Sequence, residues 1–475
     1  MASSAMTKTN ITTDQLALFS LKSQIALDPF HFLDEGWSFA TSICHWVGVT
    51  CDSRHQRVNS LNLSNMALTG KIPRDLGNLT FLVSLDLGSN NFHGNLPQEL
   101  AHLCRLKFLD LSFNSFRGET LNLKFNSIAG QIPKVIGSLV NLRVLNLGGN
   151  KLIGFIPTSL SNTSRLETLE ISDNSLQGNI PEGIGNLHNM KVLSIEDNQL
   201  TGSIPFKIFN ISRIEIIAFT GNSLSGILPN GLCNGLPILK ELYLSDNKLH
   251  GHMPTSLSNC SQLQLLSLSY NEFDGTINSE IGRLSNLQKF YLGQNHFAGI
   301  IPQEIGNLVN LAELAMEKNQ ITGSVAISMF NISSLQILSA WQNNLRGFLP
   351  RETGNFTKMQ HLKISGNKLI GEIPKEISNL VELEELLLGD NGFSGSLDME
   401  IFNISGLRII DLSVNNLLGS LPPNIGFILP NIEELYLSGL TNLVGTIPHS
   451  ISNCSKLTIL DLSNNQLTGL IPNSL

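Results

Sequence analysis

The chain has 475 residues, of which only 14% are charged, well below the roughly 25% that is usual in soluble domains. Its formal net charge of −8 argues against nucleic acid or an anionic membrane surface as the main partner. The sequence has no run of about 18 apolar residues, so it predicts no membrane-spanning segment.

At the N-terminus we expect residues 1–13 to be disordered. Apolar residues at positions 16, 18, 19, 21 and 25, together with Lys22, are typical of an amphipathic helix and not of a secretory signal. Cys44 and Cys51 are close enough in sequence to close a short disulfide loop. The alternative, a pair of free thiols, would require an intracellular chain.

From residue 58 onward one repeat explains almost the whole sequence. It is marked by Asn at positions 90, 114, 126, 150, 174, 198, 222, 247, 271, 295, 319, 343, 367, 391, 415 and 465. Met66 and Thr441 hold the same phase, which gives eighteen units, and fourteen of the seventeen steps are 24 residues long. Glycine follows four residues after every one of these positions. A fixed period of this length is the signature of a solenoid.

The pattern LxLxxN predicts a short strand in which the leucines point inward and the residue between them points outward. An Asn side chain carries both donors and acceptors, so it can satisfy the backbone of the turn and stack from unit to unit. The following IPxxLGxLxxL segment returns along the opposite side and adds further leucines. No unit can bury its leucines alone, and stacking makes the core continuous.

The unit LxxLxLxxNxLxGxIPxxLGxLxxL resembles the plant-type leucine-rich repeat. The segment DQLALFSLKSQIALDPFHFLDEGWSFATSICHWVGVTCD, residues 14–52, resembles the N-terminal cap of plant receptor-like kinases and receptor-like proteins. The resemblance implies an α/β-type solenoid, a right-handed superhelix with a parallel sheet on its concave face. It places a cap at residues 14–57 and a solenoid of about eighteen units at 58–475. DPFHFLDEGW followed by CHWVGVTC is similar to the immune-receptor branch that includes flagellin-sensing kinases.

The sequence departs from the family pattern in several places. Asn114 and Asn126 are only 12 residues apart, so half a repeat is missing, and we expect an irregular unit at 112–122 with a displaced strand or a gap in the sheet. The last unit ends at Leu475 without a cysteine-containing cap, which we interpret as a fragment or a truncated product. Leu467, Leu470 and Ile471 would then lack a covering turn, and the end should fray or associate.

Catalysis is not predicted. The 11 histidines are scattered, and neither metal-binding, hydrolase nor kinase motifs occur, so we expect no metal site, no cofactor and no enzymatic activity in this chain. A solenoid enzyme would need converging carboxylates, whereas the repeat places them singly.

The remaining cysteines and the glycosylation motifs follow the repeat. Cys260 and Cys454 occupy a column otherwise filled by Leu or Ile, so each can be a buried core residue, although Cys233 lies close enough in the adjoining turn to bridge Cys260. Predicted N-glycosylation sites are Asn62, Asn78, Asn162, Asn210, Asn259, Asn331, Asn355, Asn403 and Asn453. The repeat itself generates most of these motifs, so it explains their register and not their occupancy.

Binding residues should lie at the outward strand positions, because the inward positions are committed to packing. All four tyrosines of the chain fall on these strands, and Trp341 lies two residues before Asn343. Exposed Tyr and Trp are preferred binding anchors, although Tyr is also simply a good strand residue. The predicted ligand-binding residues are Tyr243, Tyr270, Tyr291, Glu317, Trp341, Lys363, Glu170 and Glu196. The last two belong to a run of acids, for which a solvated acidic face is the alternative interpretation.

The position of Trp341 follows from the register. Counting back from Asn343 places Leu338 and Ala340 inward, with Ser339 and Trp341 outward. Moving the ring into the core would shift the register of the strand, which the flanking 24-residue steps forbid. We therefore expect an exposed indole near Glu317 of the preceding turn and near Lys363 of the next.

The resemblance implies a ligand-sensing ectodomain at the extracellular face of the plasma membrane. It would bind a peptide or protein epitope and pair with a co-receptor supplied by another chain, with attachment to the membrane through a segment absent from this sequence. No signal peptide is recognisable. The alternative is a soluble leucine-rich-repeat inhibitor of a pathogen's wall-degrading enzyme, a class that is shorter and fully capped.

Overall fold

The structure is a computed structural model, and it describes residues 11–94, 97–103, 105–106, 108–111, 114–116, 120–125, 128–397, 399–440 and 442–472. The chain forms two compact units, Met1–Ser225 and Gly226–Leu475. Predictions that concern Asn126, Thr441 or Leu475, and most of the segment predicted to be disordered, lie outside the described residues.

The N-terminal cap begins with the helix Ile11–Ser23, three residues before the boundary expected at residue 14. Asp14 is fully buried, and its two carboxylate oxygens accept hydrogen bonds from Arg57 at 2.6 and 2.7 Å. One of them also accepts the amide of Val58 at 3.0 Å, so this carboxylate fixes the helix to the first repeat strand. The disulfide Cys44–Cys51 is formed, as predicted.

The other cap elements lie between this helix and the first repeat. They are the strand Ile25–Leu27, the helix Phe32–Gly36, the 3-10 helix Ile43–His45 and the strand Val49–Cys51. Val49–Cys51 pairs antiparallel with the first repeat strand, whereas the repeat strands pair parallel with one another. The cap therefore covers the leucines that the first repeat would otherwise expose.

The strands that precede the Asn positions form what we call the main sheet of each unit. In the first unit they are Val58–Asn62, Ser84–Asp86, Phe108–Asp110, Thr120–Asn122, Val144–Asn146, Thr168–Glu170, Val192–Ser194 and Ile216–Ala218. In the second unit they are Glu241–Tyr243, Leu265–Ser267, Lys289–Tyr291, Glu313–Ala315, Ile337–Ser339, His361–Lys363, Glu385–Leu387, Ile409–Asp411, Glu434–Tyr436 and Ile459–Asp461. In the three-residue strands of the second unit the middle residues face the core, and Leu242, Leu266 and Phe290 have no exposed surface.

The strands that follow the Asn positions form shorter parallel side sheets. In the first unit they are Thr69–Gly70, Asn91–Gly94, Ser115–Phe116, Ala129–Gln131, Lys151–Phe155, Ser175–Asn179, Gln199–Ser203 and Ser223–Gly226. In the second they are Lys248–His252, Glu272–Asp274, Ala298–Ile300, Gln320–Gly323, Asn344–Phe348, Lys368–Gly371, Gly392–Ser396, Asn416–Ser420, Asn442–Thr446 and Gln466–Thr468. The glycine four residues after each Asn lies in these strands in most of the repeats. Gly371, at φ +83°, is one whose Cβ would collide with Phe348 of the preceding repeat.

Each repeat returns through a single helical turn. These turns are the 3-10 helices Arg74–Asn78, Gln98–His102, Lys134–Ser138, Thr158–Asn162, Glu182–Asn186, Phe206–Asn210, Leu232–Gly235, Thr255–Asn259, Ser279–Arg283, Gln303–Asn307, Ile327–Asn331, Arg351–Asn355, Lys375–Asn379, Met399–Asn403 and His449–Asn453, and the short α-helix Ile425–Ile428. Most of these turns start directly after a proline. Proline suits that position because its nitrogen carries no proton, so it leaves no backbone donor without a partner.

The Asn column forms a ladder of hydrogen bonds. The amide of Asn295 donates to the carbonyls of Leu268, Leu292 and Gly293 at 2.9 to 3.2 Å, and its Oδ1 accepts the Phe273 amide at 3.0 Å. This side chain is buried and joins two consecutive repeats. The same set of bonds recurs at Asn271, Asn319 and Asn343. The predicted role of the Asn column is confirmed.

The shortened repeat interrupts the main sheet of the first unit. Phe108–Asp110 is the last strand of one sheet, and Thr120–Asn122 is the first strand of the next. A cavity of about 350 Å³ opens in the core there, lined by Leu111, Leu121, Leu123, Ile132 and Leu147 among others. The sheet is interrupted here, whereas the irregular unit at 112–122 stays a prediction, because several of its residues lie outside the described part of the chain.

The last described repeat carries an exposed residue in an inward column. Ile471 is 73% exposed, whereas Ile156, at the corresponding position of an earlier repeat, is 3% exposed. Residues 473–475 lie outside the described part of the chain, and fraying or association at this end stays a prediction.

The ladder can be tested by substituting one rung. We expect Asn295→Ala to lower the free energy of unfolding by about 2 kcal/mol, because it removes four hydrogen bonds and leaves the buried Phe273 amide without its side-chain acceptor. The three carbonyls each keep another donor, which is Asn271, Asn319 or the Tyr270 amide. Urea unfolding followed by circular dichroism measures the loss. Asn286→Ala is the control, since half-buried Asn286 donates one bond, to the Ser261 carbonyl at 2.8 Å, and its loss should change stability by less than about 0.5 kcal/mol. Equal losses in the two variants would contradict the ladder.

Candidate functional site

One row of residues on the outward face of the main sheet of the second unit has two short side chains between two long ones. Tyr291 is opposite Ala315, which is opposite Ser339, which is opposite Lys363. We infer a shallow depression from this register and call it the recess, with Ala315 and Ser339 as its floor and Tyr291, Trp341 and Lys363 at its rim.

Tyr291 is held in place by charge. Its hydroxyl donates a hydrogen bond to the carboxylate of Glu313, which also pairs with Lys289 at 2.8 Å. Burial and the bond to Glu313 raise the pKa of Tyr291 above its usual value, so the phenol stays protonated. Burial alone would raise the pKa of Glu313, but the bonds from Lys289 and Tyr291 outweigh it and hold that pKa below its usual value. The ring is thus a fixed, neutral wall of the recess.

Trp341 lies outside the core, as the register predicted. Leu338 and Ala340 on either side of Ser339 are 3% exposed, whereas the indole is only half-buried. The Lys318 ammonium lies 4.8 Å from the centroid of a Trp341 ring, which is a cation–π contact. Glu317 occupies the position in the preceding repeat that corresponds to Trp341, as the register predicted. The cation that contacts the indole ring, however, is Lys318. Sequence reasoning missed that residue because its position belongs to the turn and not to the strand.

Lys363 is less free than the sequence suggested. Its ammonium pairs with Glu385 of the next repeat at 2.5 Å, and His361 Nδ1 lies 3.3 Å from the same carboxylate. Burial tends to raise the pKa of Glu385, but Lys363 and His361 outweigh it and hold the pKa below its usual value. Lys363 therefore forms the rim of the recess as one member of an ion pair.

Glu317 differs from these carboxylates. A Cβ on Gly293 would fall 2.2 Å from Glu317 Oε1, so the carboxylate lies across the space that this glycine leaves free. Its Oε2 is buried and has no hydrogen-bond partner. Ser365 Oγ, in the same column on the far side of Trp341, is also buried without a partner. Two polar atoms thus flank the indole with unused hydrogen-bonding capacity.

The other predicted aromatic residues lie outside the recess. Tyr243 is in the same row but is separated from Tyr291 by Ser267, and its hydroxyl donates to Glu241 at 2.9 Å. Tyr270 has a φ of +55° in the turn and is 53% exposed, so it belongs to the edge and not to the row. The register thus places Tyr291, Glu317, Trp341 and Lys363 on four successive repeats, and their role in binding stays a prediction.

Glu170 ends the strand Thr168–Glu170 of the first unit and Glu196 follows the end of the next strand, Val192–Ser194, and their role in binding stays a prediction. Burial raises the pKa of Glu196, and the nearby charges of Asp197, Glu170 and Asp173 raise it further, although a hydrogen bond from Thr220 acts in the opposite direction. Glu167 in the same run pairs instead with Arg143 and with Lys191, and hydrogen bonds from Lys191 and Arg143 lower its pKa. The acidic run is therefore partly neutralised and partly self-repelling.

The second disulfide and the glycosylation motifs are also placed by the structure. Cys233 and Cys260 are bonded, whereas Cys454 is a buried free thiol, as the core alternative expected. Eight predicted glycosylation sites are the last residues of 3-10 helices, and all of these and Asn62 are exposed. Their occupancy stays a prediction.

In the part of the chain that the structure describes, no group of three or more His, Cys, Asp or Glu side chains is arranged to hold a metal ion. The longest helix in that part of the chain has 13 residues, and none of its helices has the length and hydropathy to cross a bilayer.

The run of acids gives a pH prediction. The folded-state pKa of Glu196 lies above its unfolded value, so its charging destabilises the fold as the pH rises through that pKa. We expect Glu196→Gln to raise the thermal midpoint at pH 7, with the difference vanishing below about pH 4. Glu167→Gln is the control and should lower the midpoint at pH 7, because that variant loses two cationic partners. Scanning calorimetry at several pH values measures both, and an increase that does not depend on pH would contradict this account.

Family models match along the chain. A leucine rich repeat N-terminal domain matches residues 11–52, and a leucine rich repeat matches residues 119–176. A second leucine rich repeat model matches residues 57–79, 81–103, 239–260, 262–284, 286–308, 358–380, 406–428 and 456–475. The matches cover both the cap and the repeats of the two units.

Relatives and solved structures agree with these matches. The LRR receptor-like serine/threonine-protein kinase EFR of Arabidopsis thaliana is 42% identical over 78 residues, 16% of this chain and 8% of that protein. Phytosulfokine receptor 1 of Arabidopsis thaliana is 31% identical over 131 residues, 27% of this chain and 9% of that protein. The matched segments therefore span less than a tenth of the length of these relatives.

Among solved structures, PEPR1–AtPEP1 is 33% identical with a TM-score of 0.70, covering 97% of this chain and 66% of that one. The plant peptide hormone receptor RGFR1 in complex with RGF2 is 28% identical with a TM-score of 0.63, covering 91% and 85%. The cap, the Asn ladder and these likenesses show that the chain belongs to the leucine-rich-repeat family, as a plant receptor-like ectodomain with an N-terminal cap.

Proposed function

We propose that this chain is the ligand-sensing part of a plant receptor-like kinase or receptor-like protein, and that the recess binds an extended segment of a peptide or protein ligand. The observation that carries the proposal is the row Tyr291, Ala315, Ser339, Lys363, in which the short side chains leave room between an aromatic ring and an ion pair. Trp341 adds a half-buried indole beside it.

The dimensions suit a peptide. Tyr291 and Trp341 are on strands two positions apart, so their Cα atoms are roughly 10 Å from each other at the spacing of neighbouring strands. An extended peptide covers that distance with about three residues. Both rings would shield an apolar ligand side chain on the floor from water, which favours binding. The flanking charges would fix the orientation of the ligand.

Similar solved structures support a peptide ligand and a second receptor chain. One of them is the Arabidopsis receptor kinase HAESA in complex with the peptide hormone IDA and the co-receptor SERK1, with 27% identity to this chain and a TM-score of 0.53. We propose the same arrangement here, a peptide ligand with a co-receptor supplied by another chain, at the extracellular face of the plasma membrane. The soluble-inhibitor alternative is not favoured, because the relatives described above are receptors.

The binding role of the indole can be measured. A randomised peptide library displayed on phage is panned against the full chain, and an enriched peptide is synthesised for calorimetry. Trp341→Ala should weaken its binding by about 2 kcal/mol or more, because the indole supplies much of the apolar contact area, while the thermal midpoint stays nearly unchanged. Tyr436→Ala is the control, since Tyr436 lies in the same row outside the recess and bonds to Glu434 at 2.9 Å. Equal binding by Trp341→Ala and the wild type would contradict the proposal.

A further inference from the structure

We infer that Glu317 selects ligands carrying a positive charge, which its carboxylate binds beside Trp341. This inference rests on the proposed function and specifies the chemistry of the ligand. It starts from the one carboxylate around the recess that lacks a cation. Glu313 is bonded by Lys289 and Tyr291, and Glu385 by Lys363, whereas Glu317 Oε2 is buried without a partner.

A buried carboxylate oxygen without a donor is costly, because it has given up water and gained no hydrogen bond. Native structures contain few such atoms, and each needs a reason. Gly293 leaves the space that the carboxylate occupies, with Oε1 2.2 Å from the place of a Cβ on that glycine. Glu317 as a whole is only half-buried, so rotation about its side-chain bonds can present the carboxylate to an incoming donor. Such a donor would offset the cost, and a charged donor would do so most strongly.

The surroundings favour a cation over a neutral donor. The face of the Trp341 indole already accepts the Lys318 ammonium at 4.8 Å, so this ring attracts positive charge. Ser365 Oγ, buried and unpartnered in the same column, can accept a further hydrogen bond. The stem of a Lys or Arg side chain would pack against the indole, while its head reaches the carboxylate.

Lys318 is the competing internal cation. Its Nζ lies over the indole, and the structure shows no bond from it to Glu317. If Lys318 were the natural partner of Glu317, the ligand would need no charge at this point. Lys318→Met distinguishes the two possibilities. If Glu317 binds the ligand cation, this variant loses a competing internal charge, so it should bind a cationic ligand more tightly and should still enrich cationic peptides.

The ligand charge can come from a Lys or Arg side chain or from the ammonium at the N-terminus of a peptide. The probe is the peptide enriched on the full chain from a randomised phage-displayed library. It is synthesised with each Lys replaced by norleucine or each Arg by citrulline, and separately with an acetylated N-terminus. Loss of binding in the first form assigns the charge to a side chain, and loss in the second assigns it to the terminus.

We expect removal of the ligand charge to weaken binding to the wild type by about tenfold or more and to Glu317→Gln by less than about twofold. Glu304→Gln is the matched control. It removes the same charge from an exposed site on the 3-10 helix Gln303–Asn307 and should behave as the wild type. Panning the same library against Glu317→Lys should enrich peptides that carry Asp or Glu. This second variant keeps the test valid if Glu317→Gln folds poorly.

The outcomes are distinct. Removing the charge of an enriched peptide could weaken its binding equally to the wild type and to Glu317→Gln. If that peptide still depends on Trp341, this result would overturn the inference and leave the proposed function intact. Loss of all selection in Lys318→Met would likewise overturn it. A library that yields no peptide dependent on Trp341 would overturn the proposed function and this inference together.

Discussion

The structure depends on the hydrogen bonds of one buried side chain in each repeat, the ladder Asn. Its amide donates to carbonyls of its own turn and of the preceding repeat, and its oxygen accepts a backbone amide of that repeat. Each such Asn therefore satisfies backbone groups that no strand or helix can reach. Because every rung joins two neighbours, stability accumulates from nearest-neighbour contacts along the chain.

This constraint divides the positions of each strand into two kinds. Inward positions such as Leu314 and Leu338 are fully or almost fully buried and have little freedom to change. Outward positions contribute little to the core, so their sequence can follow other demands. In the second unit two neighbouring outward positions hold the short residues Ala315 and Ser339, between Tyr291 and Lys363. The proposed binding site therefore requires no change to the repeat itself.

Much of this architecture could be predicted, because the period fixes the register. The strands, the outward position of Trp341, the gap near residue 112 and the inward Asn column all follow from counting. What counting could not give is the pairing of side chains between repeats. The bond from Tyr291 to Glu313, the engagement of Lys363 by Glu385 and the isolation of Glu317 depend on rotamers and on the missing Cβ of Gly293. The bridge between Cys233 and Cys260 likewise needed three-dimensional distances.

The central claim is that a ligand segment covers the floor between Tyr291 and Trp341. Hydroxyl-radical footprinting with mass spectrometry tests it most directly, because Tyr and Trp rings are oxidised in proportion to their exposure. With a peptide enriched on the chain bound, the account predicts reduced oxidation of Tyr291 and Trp341 and unchanged oxidation of Tyr270 and Tyr436. Protection of Tyr270 or Tyr436 with Tyr291 and Trp341 unaffected would contradict it.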